Sequence, residues 1–231
     1  VFTHSLNVTM YTLVLAKKLD LSDKEVEALG VGALLHDIGK IFIPPSILNK
    51  PSHLTDEEFE IVKAHTEYGY DLLRKQHQFP MVVAHCAYQH HERIDGSGYP
   101  RGLKTYEIHK FGKIIGVADV FDAMTSNRVY REAMLPHDAM EVLYGGADIK
   151  FEKHMVEQFK QSIALYPNGL TVLLNDGRKG IVTRQHPHLF HRPVVRVIEE
   201  EGQKISPYDV DLAKILNVMI IDTGQLNLTM K

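Results

Sequence analysis

An ordered series of metal-binding side chains runs through the first half of the chain: His36-Asp37, then His65, then His90-His91, then Asp119. Imidazole and carboxylate without thiolate suit iron, manganese, zinc and similar ions, and a carboxylate can bridge two of them. Cys86 is the single cysteine in 231 residues, which excludes a thiolate-rich structural zinc site. A lone His-Asp pair would carry little weight, because it occurs by chance in many chains; the series is what carries it. His90 and His91 are adjacent, and adjacent helical residues point about 100° apart. They cannot both serve one amphipathic face, but at a helix end they can offer two positions to one ion. Asp119 and Asp122 stand three apart among Ile114, Ile115, Val117, Val120 and Phe121. Charged groups in such company are rarely buried unless they are paired or on a metal.

The elements that must position these residues read as helices. Residues 4–19 carry apolar side chains at helical spacing. Ser22-Asp23-Lys24-Glu25 is a capping box that opens a second helix ending at His36-Asp37. Thr55-Asp56-Glu57-Glu58 is another, opening a helix predicted to run through Phe59, Val62 and His65. Pro80 suits the first turn of a helix reaching His91. Further helices are expected over 111–124, from Pro136, and over 152–164. After Tyr166-Pro167-Asn168-Gly169 the pattern changes to short β-prone runs: 170–174, 180–183, 194–198 and 218–221. Turn signals such as Asn175-Asp176-Gly177 and Glu201-Gly202 separate them. The fold class expected is a mainly α bundle over 1–166, with a small β-rich module over 167–231 for interaction or dimer packing.

Composition sets the outer limits. Net charge is −3, which argues against bulk electrostatic binding to DNA or membranes. No apolar run is long enough to span a bilayer, and no signal peptide is evident. A single cysteine fits a reducing compartment, so a cytoplasmic location is expected. Val1 falls inside a helical pattern, and an upstream sensor or regulatory region is therefore expected in a longer protein. Histidine is enriched, at 14 residues, and is spread along the chain rather than clustered like a tag.

Several motifs then agree at once. His36-Asp37-Ile38-Gly39-Lys40, His65 with Gly69, His90-His91-Glu92, Asp95-Gly96-Ser97-Gly98-Tyr99-Pro100 and Asp119 followed by Arg128-Val129-Tyr130-Arg131 resemble the HD-GYP family of cyclic di-GMP phosphodiesterases. The resemblance runs from about His4 to Phe159 in order and spacing. It implies an HD-type helical bundle with two, sometimes three, divalent ions, typically iron or manganese. By motif position one ion takes His4, His36, Asp37 and Asp119; the other takes Asp37 as a bridge with His65, His90 and His91. A third ion in family members uses a Glu one turn before the first-helix His, a position that precedes Val1.

The expected reaction is hydrolysis of cyclic di-GMP to linear pGpG, and onward to GMP, by a hydroxide bridging the two ions. Asp37 and Lys40 are the catalytic candidates, with Lys40 reaching a phosphate oxygen as a point charge. The resemblance gives Arg128 and Arg131 to the dinucleotide, where guanidinium groups pair with phosphate or stack on guanine. Gly98, Tyr99 and Pro100, with Lys40, complete the expected substrate-binding set, and Gly96 and Gly98 supply backbone freedom. Asp122 is expected to orient one of the arginines or a water. Two departures stand out: Val129 where the family commonly has proline, and Phe151-Glu152-Lys153 for Phe-Asp-Pro. Alternatives are another cyclic dinucleotide as substrate, or a receptor that binds cyclic di-GMP without turnover. His186, His188 and His191 read as a solvated loop and Cys86 as a small buried hydrophobe.

Overall fold

Both capping boxes start helices. Glu25 Oε2 accepts the Ser22 backbone N–H at 2.9 Å, and helix α2 follows over Asp23–Leu35. Glu58 Oε2 accepts the Thr55 N–H at 2.8 Å while Thr55 Oγ1 accepts the Glu58 N–H at 3.3 Å, and α4 follows over Asp56–Lys63. Each arrangement satisfies N-terminal donors that have no partner within the helix. The computed structural model describes residues 2–126, 133–187 and 189–223. They fall into two units, Val1–Met134 with Ala139–Ile163 and Leu135–Asp138 with Ala164–Lys231.

The first unit is helical. Besides α2 and α4 it contains α1 (Phe2–Lys18), a 3-10 turn (Ile38–Phe42), the short α3 (Pro45–Leu48), α5 (His65–Leu73), α6 (Met81–Gln89), α7 (Lys110–Thr125), most of α8 (Pro136–Gly145) and α9 (Lys153–Ser162). Helix α7 is deeply buried: Phe111, Ile114, Ile115, Val117, Ala118, Phe121 and Met124 cover about half its circumference, and Gly112, Gly116 and Asp119 on the other half are buried too. A helix buried on both halves belongs in a core. Helix α1 packs on α2, α7 and α9, while α6 packs on α2, α5 and α7. Tyr11, Phe121 and Phe159 lock α1, α7 and α9 edge to face, with ring centroids 5.3–6.0 Å apart.

One helix boundary differs from the sequence reading. The helix expected to continue through His65 breaks at Ala64 (φ −61°, ψ −15°), so His65 opens α5 instead of lying inside α4. The His65 ring takes the Val62 carbonyl at 2.6 Å and the Thr66 hydroxyl donates to the Lys63 carbonyl at 2.9 Å. Side chains that occupy these carbonyls compete with the helical ladder and favour the break.

The second unit is an antiparallel five-stranded sheet in the order β4-β3-β2-β1-β5. Its strands are β1 (Thr171–Leu174), β2 (Lys179–Arg184), β3 (Val194–Glu200), β4 (Gln203–Asp211) and β5 (Ile220–Thr223). Val172, Leu174, Val182, Val195, Val197, Leu212 and Ile220 form its core. Strand β4 escaped the sequence reading because Val210 is its single buried side chain and Pro207 interrupts it. It is an edge strand, where proline is tolerated. Glu201 and Gly202 join β3 to β4 with φ of 48° and 77°, the positive pair that a two-residue hairpin turn needs. Among the described residues no helix is long and apolar enough to cross a membrane.

Candidate metal centre

The bundle brings the predicted series into two adjoining groups. Asp37, His65, His90 and His91 form one, and His4, His36 and Asp119 the other; within each, one candidate donor atom per residue lies within 4.8 Å of the rest. Five segments supply them: α1, the end of α2, the start of α5, the end of α6 and the middle of α7. The approach of α5 to the 3-10 turn depends on Gly39. A Cβ there would stand 1.9 Å from the His65 carbonyl oxygen and 2.6 Å from the Gly69 nitrogen. Gly39 thus lets Asp37 and His65 face each other.

Asp37 joins the groups. Its Oδ1 lies 3.3 Å from His65 Nε2 and 3.8 Å from His90 Nε2. Its Oδ2 lies 3.4 Å from His36 Nε2 and 3.6 Å from His4 Nε2, with Lys40 Nζ at 2.5 Å. Asp119 Oδ1 is 3.1 Å from His4 Nε2, and its Oδ2 is 3.7 Å from His91 Nδ1. Three imidazoles are oriented by the backbone. Nδ1 of His36, His65 and His90 meets the carbonyls of Ala33, Val62 and Cys86 at 2.7, 2.6 and 3.1 Å. A carbonyl only accepts, so each Nδ1 carries a proton, and it is Nε2 of each ring that faces inward and would be left to hold an ion. His4 differs: its Nδ1 lies 2.6 Å from Asp122 Oδ2, and Asp122 Oδ1 accepts from Asn7 Nδ2 at 2.9 Å.

These residues fit a divalent ion. His36 Nε2 and Asp37 Oδ1 are buried with no hydrogen-bond partner among the described residues. Buried polar atoms without partners are costly and uncommon, and both atoms face the cluster. Burial alone would raise the Asp37 carboxyl, but His36 and Lys40 beside it hold it well below its ordinary range. Burial pushes His90 well down and His91 down to about 3, so both rings are neutral donors at physiological pH. Burial would also lower His4, but hydrogen bonds to Asp119 and Asp122 raise it to about 9 in the ion-free protein.

Around this centre the glycine loop is tightly built. Tyr99 stacks on His91 with centroids 4.6 Å apart and planes at 28°. Phe59 meets Tyr99 edge to face, and Lys63 Nζ lies 5.2 Å from the Phe59 ring and 5.8 Å from that of Tyr99. Gly96 has φ +85°, the freedom the sequence suggested. Gly98 serves differently: a Cβ there would stand 2.4–2.5 Å from the backbone of His91, Glu92 and Arg93, so its role is close packing. Pro100 follows on the same loop. Buried Glu92 fixes the loop by accepting the N–H groups of Arg101 and Leu103, both at 2.9 Å. Arg128 and Arg131 lie outside the described residues.

Sequence reasoning missed Asn7, Phe59 and Lys63, and quoted Glu92 within a motif without giving it a role. The spacing of Asn7 three residues after His4 was the available signal, since i and i+3 share a helix face. Asp122 was expected to orient an arginine or a metal-bound water, and those arginines lie outside the described residues; among the described residues its two oxygens meet His4 and Asn7. Glu152, the departure at the start of α9, pairs with Lys113 at 2.5 Å.

A helical bundle that folds a His-Asp pair against further imidazoles has the architecture of an HD domain. The HD-domain family model matches residues 2–154, and the chain belongs to that family. Its motifs and relatives agree with the HD-GYP branch. A KOW domain associated with the HD domain matches residues 171–227. A cyclic di-GMP phosphodiesterase of Pseudomonas aeruginosa is 37% identical over 206 residues, covering 88% of this chain and 49% of that protein. A 3'3'-cGAMP-specific phosphodiesterase of Vibrio cholerae is 36% identical over 176 residues, covering 76% of this chain and 38% of that protein. The chain therefore spans half or less of these relatives' lengths. An HDG"Y"P protein from Bdellovibrio bacteriovorus shares the fold at TM-score 0.58 and 23% identity, covering 68% of this chain and 50% of that one. An HD domain implies a divalent metal centre, and the His/Asp cluster supplies donors of that kind.

Proposed function

We propose that the helical unit hydrolyses a cyclic dinucleotide, cyclic di-GMP first, using two divalent ions, iron or manganese. His4, His36, Asp37 and Asp119 hold one ion; Asp37, His65, His90 and His91 hold the other. The observation that carries this reading is Asp37, whose two oxygens face two different sets of imidazoles. When bound, such a pair of ions supplies Lewis acidity and an activated water at neutral pH.

The chain's own residues then have distinct tasks. Lys40, held at Asp37, brings a point charge to a non-bridging phosphate oxygen. Tyr99, stacked on His91, presents an aromatic wall to a base, and Gly98 and Pro100 hold that wall in place. Arg128 and Arg131 take phosphate or stack on guanine. The product is linear pGpG, with GMP from a second cleavage. Residues 1–166 carry catalysis in this reading, and 167–231 an interaction or packing role. An upstream regulatory region and self-association of the chain belong to the same proposal.

The names of the relatives support the reaction type. The Vibrio relative's name favours a second reading, in which a mixed purine cyclic dinucleotide is the better substrate. Ion-free protein loaded anaerobically with Fe(II) or Mn(II) and assayed on both dinucleotides decides between them. A higher kcat/KM for cyclic di-GMP is expected. A higher value for 3'3'-cGAMP transfers the conclusion to the second reading, and binding of either without turnover makes the chain a receptor.

A further inference from the structure

We propose that Asp122, fixed by Asn7, is a positioning carboxylate for His4, and that it makes the His4–His36–Asp119 position the tighter of the two ion sites. The proposal rests on the two-ion reading above and goes beyond it by ranking the two positions.

Of the five imidazoles in the two groups, four have Nδ1 within hydrogen-bond distance of a partner, and these four fall into two kinds; Nδ1 of the fifth, His91, lies 3.7 Å from Asp119 Oδ2. His36, His65 and His90 rest on neutral backbone carbonyls. His4 alone among these four rests on a carboxylate, Asp122 Oδ2 at 2.6 Å. A carboxylate behind a ligating imidazole fixes its tautomer and raises its basicity as a donor. Asp119 and Asp122 stand one turn apart on α7, and the His4 ring lies between them. Its Nε2 faces Asp119 at 3.1 Å and its Nδ1 faces Asp122. Asn7, three residues after His4 on the same face of α1, donates to the other Asp122 oxygen at 2.9 Å. Asp122 is 1% exposed and both its oxygens are engaged, so its orientation is set from two sides.

Charge points the same way. An ion on the His4 side meets Asp37 and Asp119 directly, with Asp122 behind His4. An ion on the His65 side meets three imidazoles and Asp37, with Asp119 Oδ2 3.7 Å from His91; on the first side Lys40 Nζ at Asp37 Oδ2 offsets part of one charge, and Asp122 adds a further one. A divalent cation gains more from the first environment, because low-dielectric surroundings strengthen each added negative charge.

The test is a Mn(II) titration of the ion-free protein, followed by calorimetry and by the electron paramagnetic resonance signal of free Mn(II). Wild type is expected to bind two ions in two steps. Asp122→Asn keeps an oxygen that can accept from His4 but removes the charge. It is expected to weaken the tighter step about 10- to 100-fold and leave the other unchanged. His65→Ala removes the weaker step and identifies it. Asn7→Ala keeps Asp122 charged and frees one oxygen; a drop of about fivefold in the tighter step is expected, which gives an answer even if Asp122→Asn folds poorly. A purely structural role for Asp122 would lower the melting temperature while leaving both steps intact, and that outcome overturns the proposal. So does loss of the weaker step in place of the tighter one. Failure of wild type to bind two ions overturns the two-ion reading itself, which is a separate result.

Discussion

Asp37 is an anion buried among imidazoles, and two of the atoms it brings together lack any hydrogen-bond partner among the described residues. Such an arrangement is stable in company with a cation. Because loss of a group behind a ligand already costs about 10- to 100-fold in affinity or activity, Asp37→Ala should cost more than that. It is expected to reduce bound metal to one ion or none, measured by elemental analysis, and to abolish turnover. His4 gives a pH signature. Its value of about 9 in the ion-free protein lies above its ordinary 6.5. The protonated ring therefore contributes stability that is complete below pH 6.5 and lost as pH rises through about 9. At pH 7.5 an ion must displace that proton, so calorimetry in buffers of different ionisation enthalpy should record proton release that disappears near pH 10. Residue types were legible in the sequence at this scale, but partners were not. The partner of Asp122 is a histidine 118 residues away, and no local pattern encodes that pairing.

At the scale of elements, the centre depends on how closely helices approach. Gly39→Ala would place a methyl group within 1.9 Å of the His65 carbonyl, on backbone that cannot swing aside. A loss of about 1–3 kcal/mol or more is expected in denaturant melts, together with weaker metal binding because Asp37 and His65 move apart. Gly98→Ala should act likewise on the loop carrying Tyr99, raising KM before it affects metal content. The capping boxes at Ser22 and Thr55 were readable because they are local hydrogen-bond patterns within four residues. The break at Ala64 was not readable, since it depends on where the His65 ring and the Thr66 hydroxyl turn. Strand β4 was hidden by its own exposure: a strand with one buried residue has no alternation to detect.

For the molecule as a whole, the two units should answer different perturbations. On the proposed reading, chelation would remove what binds the folded helical unit, and at 100 times Kd a bound ion contributes about 2.7 kcal/mol. Hydrogen exchange should therefore quicken in α1, α5, α6 and α7 on chelation, and unchanged protection there would count against the metal centre. In the sheet unit, Arg192 donates to the carbonyls of Leu212, Leu216 and Val218 at 3.0–3.1 Å and holds the connection from β4 to β5. Arg192→Ala should cost about 2 kcal/mol or more, read as faster exchange over 212–218 with metal content unchanged.

By itself the sequence determined the helical and β-rich character of the two halves, the metal-binding chemistry of its His and Asp series, and the family those motifs belong to. Each of these is written in local spacing and residue type. The tertiary structure decided that Asp37 faces both groups, that Glu92 pins the glycine loop, and that Asp122 and Asn7 serve His4. The pairings of Asp37 and Asp122 join segments far apart in the chain, and their geometry exists only once α1, α2, α5, α6 and α7 have packed together; that of Glu92 closes a loop within 11 residues, through backbone donors that no side-chain pattern marks.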